Sequence, residues 1–192
     1  AIARSAPTRW INERLLGLDR RRRPPAWTSR PFAVRWADQS NARAPEPPSP
    51  RTVAIFNDTF TNYYHPEVGL AGAAVLKSAG FSVDVAFNTC CGRPMISQGL
   101  LDDARKHAAT NVDRLFPLAD RGLSLVFFEP SCLSAIREDA PSLLRGEAQR
   151  RARAVAERAV LFEAFLEAQW QAGRAHLQLD RGPSRILLHG HC

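Results

Sequence analysis

From residue 53 onward, short apolar runs alternate with longer stretches of helical period. VAIF (Val53–Phe56) is a compact apolar run followed by a polar loop. A helix then opens at Pro66, a residue suited to the first turn, and continues through GLAGAAVLKSA to a stop at Gly80. FSVDVAF places Phe81, Val83, Val85 and Phe87 in strict alternation, the period of a strand. Beyond a Cys-Cys-Gly turn, Leu101, Ala104, Ala108, Val112, Leu115 and Ala119 fall on one face of a second helix. LSLVFF predicts a third strand, EPSC a loop with a short helical piece, and Gly146 to Trp170 a long helix burying Val155, Ala159, Phe162 and Leu166. RILL is the expected last strand. The order β-α-β-α-β-α-β, with short and fully apolar strands, predicts an α/β fold: a mainly parallel sheet with helices on both faces.

Residues 1–52 follow another pattern and read as a basic, Pro-rich leader. TRWINERLLGL offers Trp10, Leu15 and Leu18 at helical spacing with Thr8 as a candidate N-cap, then dissolves into RRRRPP and APEPPSP. Trp27, Phe32 and Trp36 are expected to anchor on a neighbouring surface, in this chain or another. Residues 53–192 form the expected α/β domain. A chain that opens on Ala1 and ends just after RILLHG reads as a segment of something longer.

Charge sharpens this division. The formal net charge is +7, yet residues 1–52 hold 11 Lys and Arg against 4 Asp and Glu, while residues 53–192 hold 15 of each sign. The excess is concentrated around Arg20, Arg21, Arg22 and Arg23. The body therefore has no global basic field to steer a nucleic acid, and none is expected as a partner. No apolar run approaches the ~20 residues that cross a bilayer. The four cysteines, Cys90, Cys91, Cys132 and Cys192, are too few for a disulfide scaffold of this length. Reduced thiols in a cytoplasmic compartment, used as ligands or redox groups, fit better.

Position gives these cysteines their meaning. Strand 81–87 leads into Cys90, Cys91 and Gly92, and strand 123–128 into Pro130, Ser131 and Cys132. The last expected strand leads into His189, Gly190, His191 and Cys192, and the first into Asn57, Asp58 and Thr59. In an open parallel sheet, ligands bind beyond the carboxyl ends of the strands. Thiols far apart in sequence would then meet at one edge. Thiolates hold iron–sulfur clusters, and soft sulfur also selects zinc. Gly92 can take a positive φ that lets adjacent sulfurs aim at one centre, and Pro130 fixes the loop presenting Cys132. His189 and His191 are candidate zinc ligands or supporting groups. His65 and His107 read as surface side chains.

At these motifs residues 53–192 resemble the cysteine-rich CCG domain of the heterodisulfide reductase B component, the anaerobic glycerol-3-phosphate dehydrogenase small subunit, glycolate oxidase iron–sulfur subunits and the C-terminal part of FAD-linked oxidases. The matching stretches are NDTFTNYYHPEVG, CCGRPMISQGLLDDA, FEPSCLSAIREDAPSLL and LLHGHC. The leader WINERLLGLDRRRRPP looks like the segment joining a ferredoxin-like part to this domain. The resemblance implies an electron-transfer domain of an oxidoreductase that oxidises a 2-hydroxy acid such as D-lactate or glycolate. It implies an iron–sulfur cluster of the 4Fe–4S kind, with Cys90, Cys91, Cys132 and Cys192 at ligand positions, and with Gly92, Pro130 and Thr59 lining the group. FAD would belong to another domain or polypeptide. Implied partners are that flavin unit, a ferredoxin-like iron–sulfur domain and a membrane acceptor, with the protein cytoplasmic or peripheral at the inner membrane face. The chain departs from the pattern at Thr59, where relatives with a complete motif carry cysteine.

Two other function classes follow from the same residues. The domain could hold zinc, or no metal, and serve as a docking module. Alternatively, Cys90 or Cys91 could be a nucleophile, with His189 or His191 as its base. A dinucleotide-binding reading fails, because VAIF is followed by NDTFTNYYHPEVG and no glycine-rich phosphate turn.

Overall fold

The computed structural model describes residues 4–41, 51–182 and 184–187. Along the chain run α1 (Ala6–Leu16), α2 (Phe32–Asn41), β1 (Thr52–Ile55), α3 (Thr59–Tyr63), α4 (Pro66–Ser78), β2 (Ser82–Val85), α5 (Arg93–Ser97) and α6 (Leu101–Asp120). They are followed by β3 (Ser124–Phe127), α7 (Pro130–Ser134), a π-helical turn (Ala135–Asp139), α8 (Ala140–Leu143), α9 (Gly146–Arg158), β4 (Ala159–Leu161) and α10 (Phe162–Gln171). The strands form one all-parallel sheet in the order β2-β1-β3-β4. The α/β architecture is the one the alternation predicts.

Strand periodicity builds a core on each face of this sheet. Val53 and Ile55 of β1 join Val126, Leu76 and Phe165 on one side. Ala54 and Phe56 join Leu125, Phe127, Leu115 and Val155 on the other. Each of these large side chains contributes roughly 1.5–3 kcal/mol by leaving water. The Phe56 and Phe127 rings stack with centroids 4.5 Å apart at the carboxyl end of the sheet. α6 buries Ala104, Ala108, Val112, Leu115 and Ala119 as its period predicts, whereas Leu101 is half-exposed.

The fourth strand is not where the sequence pattern puts it. Ile186 and Leu187 lie in no strand and are exposed, 77% and 98% respectively, while residues 188–192 fall outside the described part. The strand is instead Ala159–Leu161, inside the stretch expected to be one continuous helix. The backbone turns extended at Ala159 (φ −79°, ψ 128°) and remains so at Leu161 (φ −67°, ψ 147°). Ala159, Val160 and Leu161 pair with Leu125, Val126 and Phe127. A three-residue apolar strand between helices leaves the same spacing as an unbroken helix. The open edge of β3 offers it hydrogen bonds that local periodicity does not reveal.

The leader is tied to the body. Within it, α2 packs on α4, and Phe32 is fully buried. A Cβ at Gly69 would stand 2.8 Å from the Phe32 ring, so this crossing requires glycine. Trp36 lies beside Phe32, with the Lys77 ammonium 4.7 Å above its ring. Trp27 packs against Tyr64 and Tyr63, with centroids 5.0 and 5.6 Å away, and the Thr28 amide donates to the Tyr63 carbonyl at 2.8 Å. All three expected aromatic anchors therefore dock on this chain itself. In α1 the N-cap is Ser5 rather than Thr8, its side chain accepting from the Thr8 amide, and Trp10, Leu15 and Leu18 are exposed. No described helix is long and apolar enough to cross a membrane.

Candidate metal centre

The sheet order decides which loops meet. β1 lies between β2 and β3, and Ile55 pairs with both Val85 and Val126, so the three strands end level. The chain steps from β1 to β2 on one side, then crosses back over β1 to reach β3. Such a reversal of winding opens a crevice at the carboxyl ends of the strands. The loops carrying Asn57–Thr59, Cys90–Gly92 and Pro130–Cys132 all leave this edge.

Two of the sulfurs meet there. The Cys132 thiol donates to Cys91 Sγ at 3.1 Å, although the two residues are 41 positions apart. Both residues are buried, and both belong to the core cluster on the α6 side of the sheet. Cys90 is partly exposed and directly precedes Cys91 in the chain. The structure thus brings Cys91 and Cys132 into contact, with Cys90 beside Cys91 in the chain. Cys192, His189 and His191 lie outside the described residues.

Local chemistry accounts for this arrangement. Gly92 has φ 89°, a left-handed conformation costly for any residue with a Cβ, and from there α5 begins. Pro130 opens α7, and the Glu129 carboxylate accepts from the Ser131 amide and hydroxyl at 3.1 and 2.7 Å. Cys132 therefore stands in the first turn of a capped helix, with a π-helical turn following at Ala135–Asp139. Turns of that kind often occur at functional sites. Thr59 opens α3 in the loop between the two cysteine loops, and Asp58 caps that helix by accepting from the Thr61 amide at 2.9 Å and hydroxyl at 2.6 Å.

Several residues that the sequence pattern did not single out hold the loops in place. Asn111, on the buried face of α6, accepts from the Thr89 amide at 2.8 Å and hydroxyl at 3.1 Å, and donates to the Cys90 carbonyl at 3.0 Å. Asn88 accepts from the Asn57 amide at 2.9 Å and donates to the Asn57 carbonyl at 3.0 Å, which clasps the β1 and β2 loops together. Arg93 donates to Ser134 Oγ at 2.7 Å and pairs with Asp139 at 2.8 Å, joining the Cys90–Cys91 loop to the helix of Cys132. His107, read as a surface residue, is half-buried with Nδ1 3.4 Å from Thr89 Oγ1. Only the polar residue at position 111 of an otherwise apolar helical stripe could have signalled any of this from sequence.

Cys90 and Cys91 are held in their protonated form. The hydrogen bond with Cys132 and burial push Cys91 up to about 11, and the hydrogen bond with Cys91 followed by burial pushes Cys90 well above the ordinary thiol range. A metal or cluster must displace these protons, since the thiolate is the ligand. The donor set fits a thiophilic centre in kind: three thiols from two loops, two of them in contact. It is not complete, because no group of three or more His, Cys, Asp or Glu among the described residues is arranged to hold a metal ion.

Comparison with known proteins finds similarity to subunits of two oxidoreductases. Over 140 residues, 72% of its length, the chain is 31% identical to the C component of the anaerobic glycerol-3-phosphate dehydrogenase of Escherichia coli K12. The corresponding component of Escherichia coli O157:H7 matches to the same extent, and in both cases the chain spans about a third of the relative (35%). A shorter stretch of 51 residues, 26% of the chain and 10% of the relative, is 43% identical to the B component of the fumarate reductase (CoM/CoB) of Methanothermobacter marburgensis. No family model and no solved structure matches. These relatives are each named as one subunit of an oxidoreductase, so the chain resembles polypeptides that act beside others.

Proposed function

We propose that this chain is an electron-transfer domain of a multi-subunit or multi-domain oxidoreductase, and that Cys90, Cys91 and Cys132 are metal ligands at the carboxyl edge of its sheet. The observation that carries the reading is the meeting of Cys91 and Cys132 at 3.1 Å from two different strand ends. Cys192, beyond the described residues, is the candidate fourth sulfur. An iron–sulfur cluster held there would supply one-electron chemistry. The protein's part is to present the thiolates and to keep one wall of the centre dry with Phe56 and Phe127. Backbone amides of the Gly92 turn and of the α7 first turn are the candidate donors to cluster sulfur, the interaction that tunes potential. Thr59 stands at the same edge in place of a thiol ligand and is assigned to the lining.

Support for the electron-transfer role comes from the relatives, which are parts of a dehydrogenase and a reductase. The substrate is oxidised or reduced elsewhere in such an assembly. A 2-hydroxy acid of the D-lactate or glycolate type is the proposed substrate class, with glycerol 3-phosphate, named in the relatives, as the competing one. A flavin unit and a ferredoxin-like unit are the proposed partners, and a membrane acceptor the proposed outlet. Anaerobically purified chain should show broad visible absorption that reductant bleaches, with iron and sulfide in matching amounts. Colourless protein free of iron after anaerobic reconstitution would end this reading.

A second reading is favoured by one distance. Tetrahedral zinc with Zn–S of about 2.3 Å sets its sulfurs roughly 3.8 Å apart. Opening the 3.1 Å contact by under an ångström would seat one ion between Cys91 and Cys132. Thr59, where a cluster-binding relative carries cysteine, points the same way. In that case the domain docks rather than conducts, and stoichiometric zinc without visible absorption is the expected result.

A further inference from the structure

We infer that Cys91 and Cys132 form a reversible disulfide that closes the metal centre, with Cys90 as the sulfur through which a small disulfide enters. The inference rests on the same three thiols as the proposed metal centre but needs no metal for its own chemistry. The two sulfurs lie 3.1 Å apart in a buried contact, so a bond of about 2.05 Å requires an approach of only about one ångström. Neither sulfur can meet a bulky oxidant directly, since each residue is only 5% exposed. Cys90 can, because it is partly exposed, and it is the immediate chain neighbour of Cys91.

The oxidant is a low-molecular-weight disulfide, R–S–S–R. The Cys90 thiol loses its proton and attacks one of its sulfurs. The S–S bond breaks, one R–SH leaves with that proton, and Cys90 carries the mixed disulfide. Cys91 then attacks the Cys90 sulfur and expels the second R–SH. Cys132 attacks the Cys91 sulfur in turn, returning Cys90 to the thiol and leaving Cys91 and Cys132 joined. Across the sequence the two protein thiols lose two electrons and two protons, and R–S–S–R gains both to give two R–SH. Thiol–disulfide exchange proceeds by such thiolate attacks, and a high thiol pKa slows it without changing its product. The last step is favoured by geometry, because a bond between adjacent cysteines strains the intervening peptide whereas the 91–132 contact is already formed. Oxidised in this way, the centre has lost two of its sulfur ligands, and metal entry waits for reduction.

The full chain, reduced and chelated under anaerobic conditions, is treated with oxidised glutathione and followed by intact mass and peptide mapping. The expected end product links the peptides of Cys91 and Cys132 through a disulfide and leaves Cys90 free of glutathione. Cys90→Ser should give the same link more slowly, and Cys132→Ser should stop at a Cys90–Cys91 disulfide or a glutathione adduct. A wild-type end product that is a Cys90–Cys91 disulfide, a lasting Cys90 adduct or unchanged thiols would overturn the inference. Zinc and iron uptake by the reduced chain is measured in parallel. Cross-linking in a chain that takes up no metal supports the disulfide and sinks the metal centre; metal uptake without cross-linking does the reverse.

Discussion

The side-chain amide of Asn111 donates to the carbonyl of Cys90 at 3.0 Å from a position with no solvent exposure. The same carboxamide accepts from the Thr89 amide and hydroxyl, so a single residue of α6 sets the backbone of the loop that carries two of the three described thiols.

Replacing Asn111 by leucine should keep the branched shape but strand a part-buried amide and a part-buried carbonyl. Unsatisfied groups of that kind cost about 1–3 kcal/mol each, so urea denaturation should show a loss of roughly 2–4 kcal/mol. A change within about 0.5 kcal/mol, as for an ordinary surface site, would remove Asn111 from this role.

Arg93 joins the two cysteine loops through Ser134 and Asp139. Its side chain is about 30% exposed, so Arg93→Ala should cost little stability. Zinc or iron affinity is the sensitive readout, and it should fall by about 10–100-fold, the effect typical of a residue that orients ligands. Equal affinity in the variant, measured by competition with a chelator, would show that the loops hold their geometry without it.

At Gly72 an added methyl group would stand 2.3 Å from the Phe128 ring, which lies in turn against Phe162 with centroids 5.2 Å apart. Alanine gains about 1 kcal/mol of helix propensity over glycine, but overpacking costs typically 1–3 kcal/mol. Gly72→Ala should therefore lower the denaturation midpoint, and adding Phe128→Leu should restore it. A more stable single variant would show that the ring moves aside freely.

Cys91 is shifted from 9.0 to about 11 on folding. Between those values the folded chain keeps a proton that the unfolded chain has released, so raising pH favours unfolding. The contribution is fully present below pH 9 and lost as pH rises through about 11. Metal-free protein should thus show stability declining across that window in pH-dependent denaturation, and Cys91→Ser should decline less. The opposite slope, with Cys91→Ser matching the parent, would mean the thiol is not buried in its protonated form.

Much of the fold could be read along the chain because the signal is local. Val53 to Phe56 shows as a short apolar run and Phe81 to Val85 as strict alternation, and α6 shows its stripe along its own length. The cysteine loops follow strands in the sequence, and parallel strands end together, so a shared edge was a consequence of order alone. β4 was missed because a three-residue strand carries no period of its own. The helix at Phe32–Asn41 was missed because Pro-rich flanks masked its docking on Gly69.

The α/β class, the helix faces and the placement of Cys90, Cys91 and Cys132 after strands are legible along the chain. The contact of Cys91 with Cys132, the hold of Asn111 and Arg93 on their loops, and the segment that completes the sheet emerge from the assembled fold alone. The difference is one of range. Periodicity and turn chemistry act over a handful of residues, while the contact between these sulfurs depends on β2 and β3 flanking β1, a pairing made by backbone hydrogen bonds that no side-chain pattern encodes.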